Sequence, residues 1–569
     1  MIRRYIFSTD HKMIGIQYGL AASFFMLTGF TLMLIMRWQL AYPGEVNPTL
    51  SWISDDNPFM PGGRIGPDFY NSLGAMHGTI MVFLAVVPML VGAFGNYIVP
   101  LQIGARDMAF PRLNSLSFGL YFIGGCVMLF SFLLPDGPPN SGWTSYPPLS
   151  IFATEGQTFW LIGMAFLVNS SLLGSINMIV TIIQLRAPGM SFFRMPFFVW
   201  TQLVAAFLLL LAFPPLEAAA VFQLSDRLLD TSFFLPSGLV LTEQIVERSG
   251  GGSPLLWQHL FWFLAHPEVY VLVLPAMGIV TEVITNNTRR PLWGYKVMAM
   301  STVFLGFFSC MIWAHHMYLT GMGTTINGIF EITTMTVSIP SLIIMTSLVA
   351  TLWGASIRFT VPMLFALAFL PMFGIGGFTG LPLALATSDV HLHDTYYVIG
   401  HFHYLVAPGT IFALFAGVYY WFPKFTGRQM NTVLGHLHFW PSLIFMNAIF
   451  FSMLIMGLAD VSRRLYDGGL EYAHAQDVLF LHKVMTHSAF ALSIVQLFFI
   501  INIFWSLKKG AKVDGNPWNA TTLEWQTTSP PAEGNFAFDP EVTRGPYEYS
   551  VPGEEDDYSP QAIPASEAL

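Results

Sequence analysis

Twelve long apolar stretches constrain this chain more than any other feature. They lie near 15–37, 75–99, 112–134, 158–184, 195–216 and 255–284, then near 296–319, 330–353, 360–386, 399–422, 437–459 and 485–507. Each is long enough to cross a hydrocarbon core of ~30 Å. Lipid offers no water to satisfy backbone N–H and C=O groups, so such stretches must be helices. Composition agrees: 54% of residues are hydrophobic and only 10% charged, with a mean hydropathy of +0.57. Soluble domains carry about 25% charged residues. The expected fold is all-α, a polytopic membrane protein of about 12 transmembrane helices.

An even number of spans puts both termini on one side. With the N-terminus inside, 17 Lys and Arg fall on the inner side and 7 on the outer, the asymmetry that the positive-inside rule demands. The inner set includes Arg3, Arg4, Arg106, Arg112, Arg289, Arg290, Lys296, Lys508 and Lys509. Residues 1–510 form the expected membrane domain. Residues 511–569, rich in Pro, Glu and Asp, are expected to be an inner-side extension, partly extended or disordered. Much of the net charge of −9 sits there, so it says little about partners, and nothing suggests nucleic-acid binding. Cys126 and Cys310 lie in apolar runs, which indicates neither a disulfide framework nor a thiolate metal site. MIRRYIFSTDHKM reads as a short basic leader into the first span, without a cleavable signal.

Ionisable groups inside such spans mark function. His77 sits in GAMHGTIMVF; His266, Glu268 and Tyr270 in AHPEVYVLVLP; His315 and His316 in MIWAHHMYL; His401 and His403 in HDTYYVIGHFHYL. Any one of them alone reads as a satisfied interior histidine. Six in spans with hardly any other ionisable group point to metal, since neutral imidazole suits copper, iron and zinc. Adjacent His315 and His316 stand about 100° apart on a helix, so both reach one ion only at a distorted or terminal turn. His266 could add a third nitrogen from another helix, and three imidazoles with an open position make a reactive copper site. Tyr270 follows His266 by four residues and shares its face, which makes its phenol a candidate donor of a proton and an electron. Glu268 points elsewhere, as a proton donor feeding the site would. His401 and His403 lie about 200° apart, so they serve different clients.

These residues resemble one family over nearly the whole chain: subunit I of the haem–copper oxidases, of the A-type cytochrome c oxidase kind. The resemblance rests on STDHKMIGIQY, FGNYIVPLQIGARDMAFPRLN, WFLAHPEVYVLVLP, WAHHMYLTGM, HDTYYVIGHFHYL and NPWNATTLEW. By position it implies that His77 and His403 are axial ligands of a low-spin haem a, and His401 that of a high-spin haem a3. It implies copper B on His266, His315 and His316, with Tyr270 covalently linked to His266. His393 and Asp394 match residues near a magnesium ion at the subunit II interface, Arg463 and Arg464 a pair that binds haem propionates, and Arg37 the arginine on a haem a formyl group. The implied reaction is reduction of O2 to water, with electrons from the outer side and protons from the inner.

The same resemblance implies a D-type proton pathway from Asp107 through Asn96, Asn114, Ser117, Ser170, Ser171 and Asn177 to Glu268. A second, K-type pathway is altered. Counting from WAHH with Pro340 in register, the family's lysine position holds Ile344 and its threonine position Ser341, with Thr281 as a polar step in the sixth span. Protons for the reductive phase, which the K-type pathway serves in the family, would use water and Ser341, another subunit, or the D-type pathway. A quinol oxidase of the same fold is the nearest rival, but its quinol-site positions hold Thr28, Leu32, Phe69 and Ser72. The implied donor is therefore cytochrome c, through a dinuclear copper in subunit II, with subunit III as a further partner. A nitric oxide reductase derived from this family is a second rival, opposed by Tyr270, Glu268 and the three copper histidines. The implied location is a bacterial inner membrane, both termini cytoplasmic.

Overall fold

The computed structural model describes residues 5–241, 243–247 and 250–564; Arg3, Arg4 and Arg248 lie outside them. Among the described residues, 12 helices are long and apolar enough to cross a membrane. The first six are α1 (His11–Ala41), α2 (Pro67–Ile103), α3 (Pro111–Leu133), α4 (Gly156–Gln184), α5 (Phe197–Leu228) and α6 (Pro254–Thr288). The others are α7 (Tyr295–Thr320), α8 (Thr324–Leu352), α9 (Val361–Leu383), α10 (Tyr396–Thr426), α11 (Thr432–Leu458) and α12 (Phe480–Lys509).

Sequential helices pack as neighbours: α3 on α4, α4 on α5, α5 on α6, α11 on α12, with α12 returning to α1. The spans differ in how far they are enclosed. α6, which carries His266, Glu268 and Glu282, is the most enclosed, while α1 and α12 are the most exposed, as the cost of polar groups in lipid requires. From its central place α6 touches α5, α7, α8, α9 and α10. Whatever its side chains hold is therefore walled on every side.

Two departures from regular α-helix bear on function. α2 is π-helical over Ile80–Val86 and Pro88–Gly95, and α10 over Leu405–Ile411, around Pro88 and Pro408. Proline lacks the N–H that would continue the ladder, and a π-turn absorbs the mismatch. α5 runs to Leu228, well past the apolar stretch near 195–216. Its polar end is held by neighbours: Gln223 donates to Ser150 Oγ at 2.8 Å, and Arg227 to the Ser150 carbonyl at 2.6 Å.

Residues 510–564 lie over the end of the bundle where α1 begins, which we call the terminal end. Strands β3 (Pro540–Val542) and β4 (Ala562–Pro564) pair antiparallel. The segment is fastened by buried polar contacts. Tyr547 donates to Glu282 Oε1 at 2.6 Å, Gln102 to Glu524 Oε1 at 3.0 Å, and Lys424 Nζ to the Thr527 carbonyl at 2.9 Å. Burial pushes the Glu524 carboxyl above its ordinary value. At the other end a small hairpin pairs β1 (Val240–Leu241) with β2 (Gln244–Ile245).

Candidate functional site

His315 and His316 do not lie on α-helix. The segment Trp313–Thr320 at the end of α7 is a 3-10 turn, the distortion that two adjacent histidines need to aim at one point. His266 on α6 meets them. His316 Nε2 lies 3.3 Å from His266 Nδ1 and 3.1 Å from His315 Nε2. One nitrogen from each of the three rings lies within 4.8 Å of the others. Imidazoles around one ion with metal–nitrogen bonds of about 2.0–2.1 Å sit roughly 3.3 Å apart in tetrahedral geometry, so the donor set fits a single metal. A hydrogen bond at the outer nitrogen fixes the ring, as ligating histidines require: His315 Nδ1 is 3.1 Å from Thr334 Oγ1.

Tyr270 stands one turn after His266, ring centroids 5.1 Å apart. The outer nitrogen of His266, Nε2, is buried with no hydrogen-bond partner. Trp262, one turn before His266, stacks on His316 at 3.8 Å and 11°, and its indole N–H donates to Tyr146 at 2.5 Å. Neither Trp262 nor Tyr146 figured among the residues expected from sequence. The i−4 spacing of Trp262 from His266 was the available signal.

The remaining histidines separate as their spacing predicts. His77 Nδ1 donates to the Gly29 carbonyl at 2.8 Å, and His403 Nδ1 to the Ile399 carbonyl at 2.9 Å. His401 Nδ1 donates to the Gly376 carbonyl at 2.8 Å, with Thr379 Oγ1 3.2 Å away. In all three the backbone takes one ring nitrogen and leaves Nε2 for a metal. His403 stacks on Phe450 of α11, ring centroids 4.9 Å apart, whereas the Gly376 bond holds His401 against α9. The two histidines of one helix thus meet different neighbours. Each of His77, His401 and His403 could hold a haem iron through Nε2.

Beyond these, Arg37 is 3% exposed and donates to the His482 carbonyl at 3.0 Å. Arg463 Nε donates to Asp394 Oδ1 at 2.6 Å, and His393 Nδ1 lies 3.1 Å from Asp389 Oδ2. Burial alone would raise the Asp394 carboxyl, but Arg463, with His393 and Arg464, outweighs it and holds the group below its ordinary value. Asp389 is a member of this cluster that sequence reading missed. Arg464, with φ of 68°, lines a surface cavity of about 390 Å³ with Ser141, Thr144 and Tyr146.

Glu268 is 2% exposed, and neither carboxyl oxygen has a protein partner. It lines an internal cavity of about 60 Å³ together with Tyr18, Asn96, Asn114, Ser117, Ser170 and Ser171. A water centre needs about 10–15 Å³, so several waters fit. Within the wall Tyr18 and Ser117 hydroxyls are 2.9 Å apart, and Ser117 donates to the Ser170 carbonyl at 2.8 Å. Two expected members stand outside this lining. Asp107 lies in the α2–α3 loop, where burial raises its carboxyl above the ordinary value against the lowering effect of His11. Asn177 is a tether: its Oδ1 accepts from the Phe110 N–H at 2.8 Å. Ser341 lies elsewhere, on α8, and bonds its own Val337 carbonyl at 3.4 Å.

Twelve spans enclosing a three-imidazole cluster and three backbone-tethered histidines define an integral membrane metalloprotein. Residues 13–498 match the family described as cytochrome C and quinol oxidase polypeptide I. A cytochrome c oxidase subunit 1 of Synechocystis is 41% identical, aligned over 96% of this chain and 93% of its own length. An alternative cytochrome c oxidase subunit 1 of Bradyrhizobium diazoefficiens is 42% identical over 99% of this chain and 93% of its own. Among solved structures, a cryo-EM heme-copper terminal oxidase dimer shares the fold, with a TM-score of 0.72 over 88% of this chain and 85% of that one, at 21% identity. The chain belongs to the cytochrome c and quinol oxidase polypeptide I family, the subunit I of haem–copper oxidases.

Proposed function

We propose that this protein is the catalytic subunit of a respiratory terminal oxidase that takes electrons from cytochrome c and reduces O2 to water, moving protons through a D-type route. The observation that carries the reading is the cluster of His266, His315 and His316, one nitrogen from each within 4.8 Å of the others, with the Tyr270 ring beside His266. His77 and His403 would hold the low-spin haem and His401 the high-spin haem. His266, His315 and His316 would hold the copper. When bound, the high-spin iron and the copper supply electrons to O2.

The protein's own share is positioning and proton supply. Tyr270 presents a phenol beside His266; the unpartnered His266 Nε2 favours the covalent link between the two rings. Glu268 closes a cavity wide enough for water and has no protein partner competing for its proton. The Asn96, Asn114 and serine side chains provide polar stepping points behind it. Asp107 collects protons at the terminal end, which we place on the cytoplasmic side. Ile344 is fully buried in the α8 interface and offers no proton-bearing group, so the second route lacks its central carrier. Arg463 and Arg464 would meet haem propionates, Arg37 a formyl group, and His393 with Asp394 a magnesium ion facing subunit II.

The quinol alternative finds no support at the corresponding positions. Thr28 bonds the Phe24 carbonyl at 3.0 Å and Ser72 the Pro138 carbonyl at 3.1 Å, while Leu32 and Phe69 are buried and apolar. The test is oxygen uptake by the purified complex given either reduced cytochrome c or a quinol, with pigment extraction for haem type. Uptake with cytochrome c alone is expected. Uptake with quinol alone would overturn the assignment of the donor.

A further inference from the structure

We propose that Asn535, supplied by the C-terminal extension, is a positioning residue at the mouth of the proton route, an inference that rests on the D-type reading above. Asn535 is 2% exposed and ties together three elements. Its Oδ1 accepts from Lys12 Nζ at 2.8 Å, and its Nδ2 donates to the carbonyl of Ala105, two residues before Asp107, at 2.8 Å. Its amide also faces His11 Nε2, with Nδ2 at 2.9 Å and Oδ1 at 3.1 Å. His11 is fully buried, and its other nitrogen meets the Asn96 carbonyl at 2.7 Å. Asn96 lines the cavity that ends at Glu268.

The chemistry of this contact is specific. A carbonyl only accepts, so Nδ1 of His11 carries a hydrogen in either protonation state. Nε2 is then an acceptor in the neutral ring and a donor in the imidazolium. The Asn535 amide offers both kinds of atom within reach, Nδ2–H to the neutral ring and Oδ1 to the charged one. A buried imidazole with such a partner changes state without leaving an unsatisfied polar atom, which would otherwise cost about 1–3 kcal/mol. The charged groups around His11 are Lys12, Asp10 and Asp107. His11 therefore joins Asn535, which fixes the loop that carries Asp107, to the first cavity residue, Asn96, and Asn535 keeps it competent in both states.

Asn535 has φ of 69°, in the left-handed region that glycine adopts freely. Asn535→Gly therefore removes the side chain and keeps the backbone. The experiment follows proton uptake with a pH-sensitive dye as the fully reduced complex meets O2. Asn535→Gly is expected to slow uptake about fivefold, the factor that matches one ordinary hydrogen bond, with haem spectra and copper content unchanged. Asn519→Gly, at another left-handed position of the extension (φ of 49°), is expected to leave uptake unchanged. Asp107→Asn, run alongside, is expected to block it. If Asp107→Asn blocks uptake and Asn535→Gly leaves it unchanged, or if Asn519→Gly slows it equally, the positioning role falls while the route stands. If Asp107→Asn leaves uptake unchanged, the route falls and this inference with it.

Discussion

Gly380 gives the sharpest test of how the structure holds His401. It lies on α9, and a Cβ there would sit 2.8 Å from His401 Cε1 and 3.5 Å from both ring nitrogens. Ordinary contact begins at 3.4 Å, so Gly380→Ala forces the imidazole back by about 0.6 Å. The ring cannot yield freely, because Nδ1 is bound to the Gly376 carbonyl at 2.8 Å on the same helix. Overpacking of this kind costs about 1–3 kcal/mol, a loss of roughly 5- to 150-fold in occupancy by the haem proposed to sit on His401. Alanine favours helix over glycine by about 1 kcal/mol, so α9 itself survives. The assay is the CO difference spectrum of the dithionite-reduced protein, normalised to the haem bands that CO leaves unchanged. The CO-reactive signal should fall while the bands of the haem proposed on His77 and His403 persist. Loss of both together would mean that α9 had unfolded locally, and an unchanged CO signal would refute the claim that Gly380 is small to make room for His401.

Three further outcomes follow. His315→Ala removes one of three nitrogens from the cluster, and copper measured by elemental analysis should fall by about one ion per protein while haem content is retained. Ile344→Lys should speed reduction of the high-spin haem by about tenfold if the missing carrier limits the second route; stopped-flow rates that do not change would remove that explanation. Hydrogen bonds from Arg289 hold the Asp557 carboxyl below its ordinary value. A depressed acid contributes stability above its unfolded pKa of about 4 and loses it as pH falls through the lower folded value. Limited proteolysis should therefore find residues 543–564 protected at pH 5 and above, with protection lost only below about pH 4.

The spans were readable because lipid leaves the backbone one solution, and because hydrophobicity over such lengths overrides local propensity. Their ends were less so. α5 continues twelve residues past its apolar stretch on the strength of Gln223 and Arg227, whose partners lie in another loop. The angle argument for His315 and His316 required a distorted turn, and the structure supplies it at Trp313–Thr320. That two histidines two residues apart must meet different neighbours was likewise legible from helix geometry alone. Asp389 and Trp262 could have been found at four-residue spacing from His393 and His266. Asn535 could not. It meets His11 across 524 residues of sequence, and no local pattern in the extension announces that contact. Asn177 shows the converse: a polar residue in the expected register turned out to hold a loop backbone instead of lining the cavity.

The most direct test of the account is the optical spectrum of the purified protein, reduced with and without CO. One low-spin haem unchanged by CO and one high-spin haem that binds it are predicted, because on the proposed assignment His77 and His403 would both hold the first while His401 alone would hold the second. A protein without haem bands, or with two haems that respond alike to CO, would contradict it.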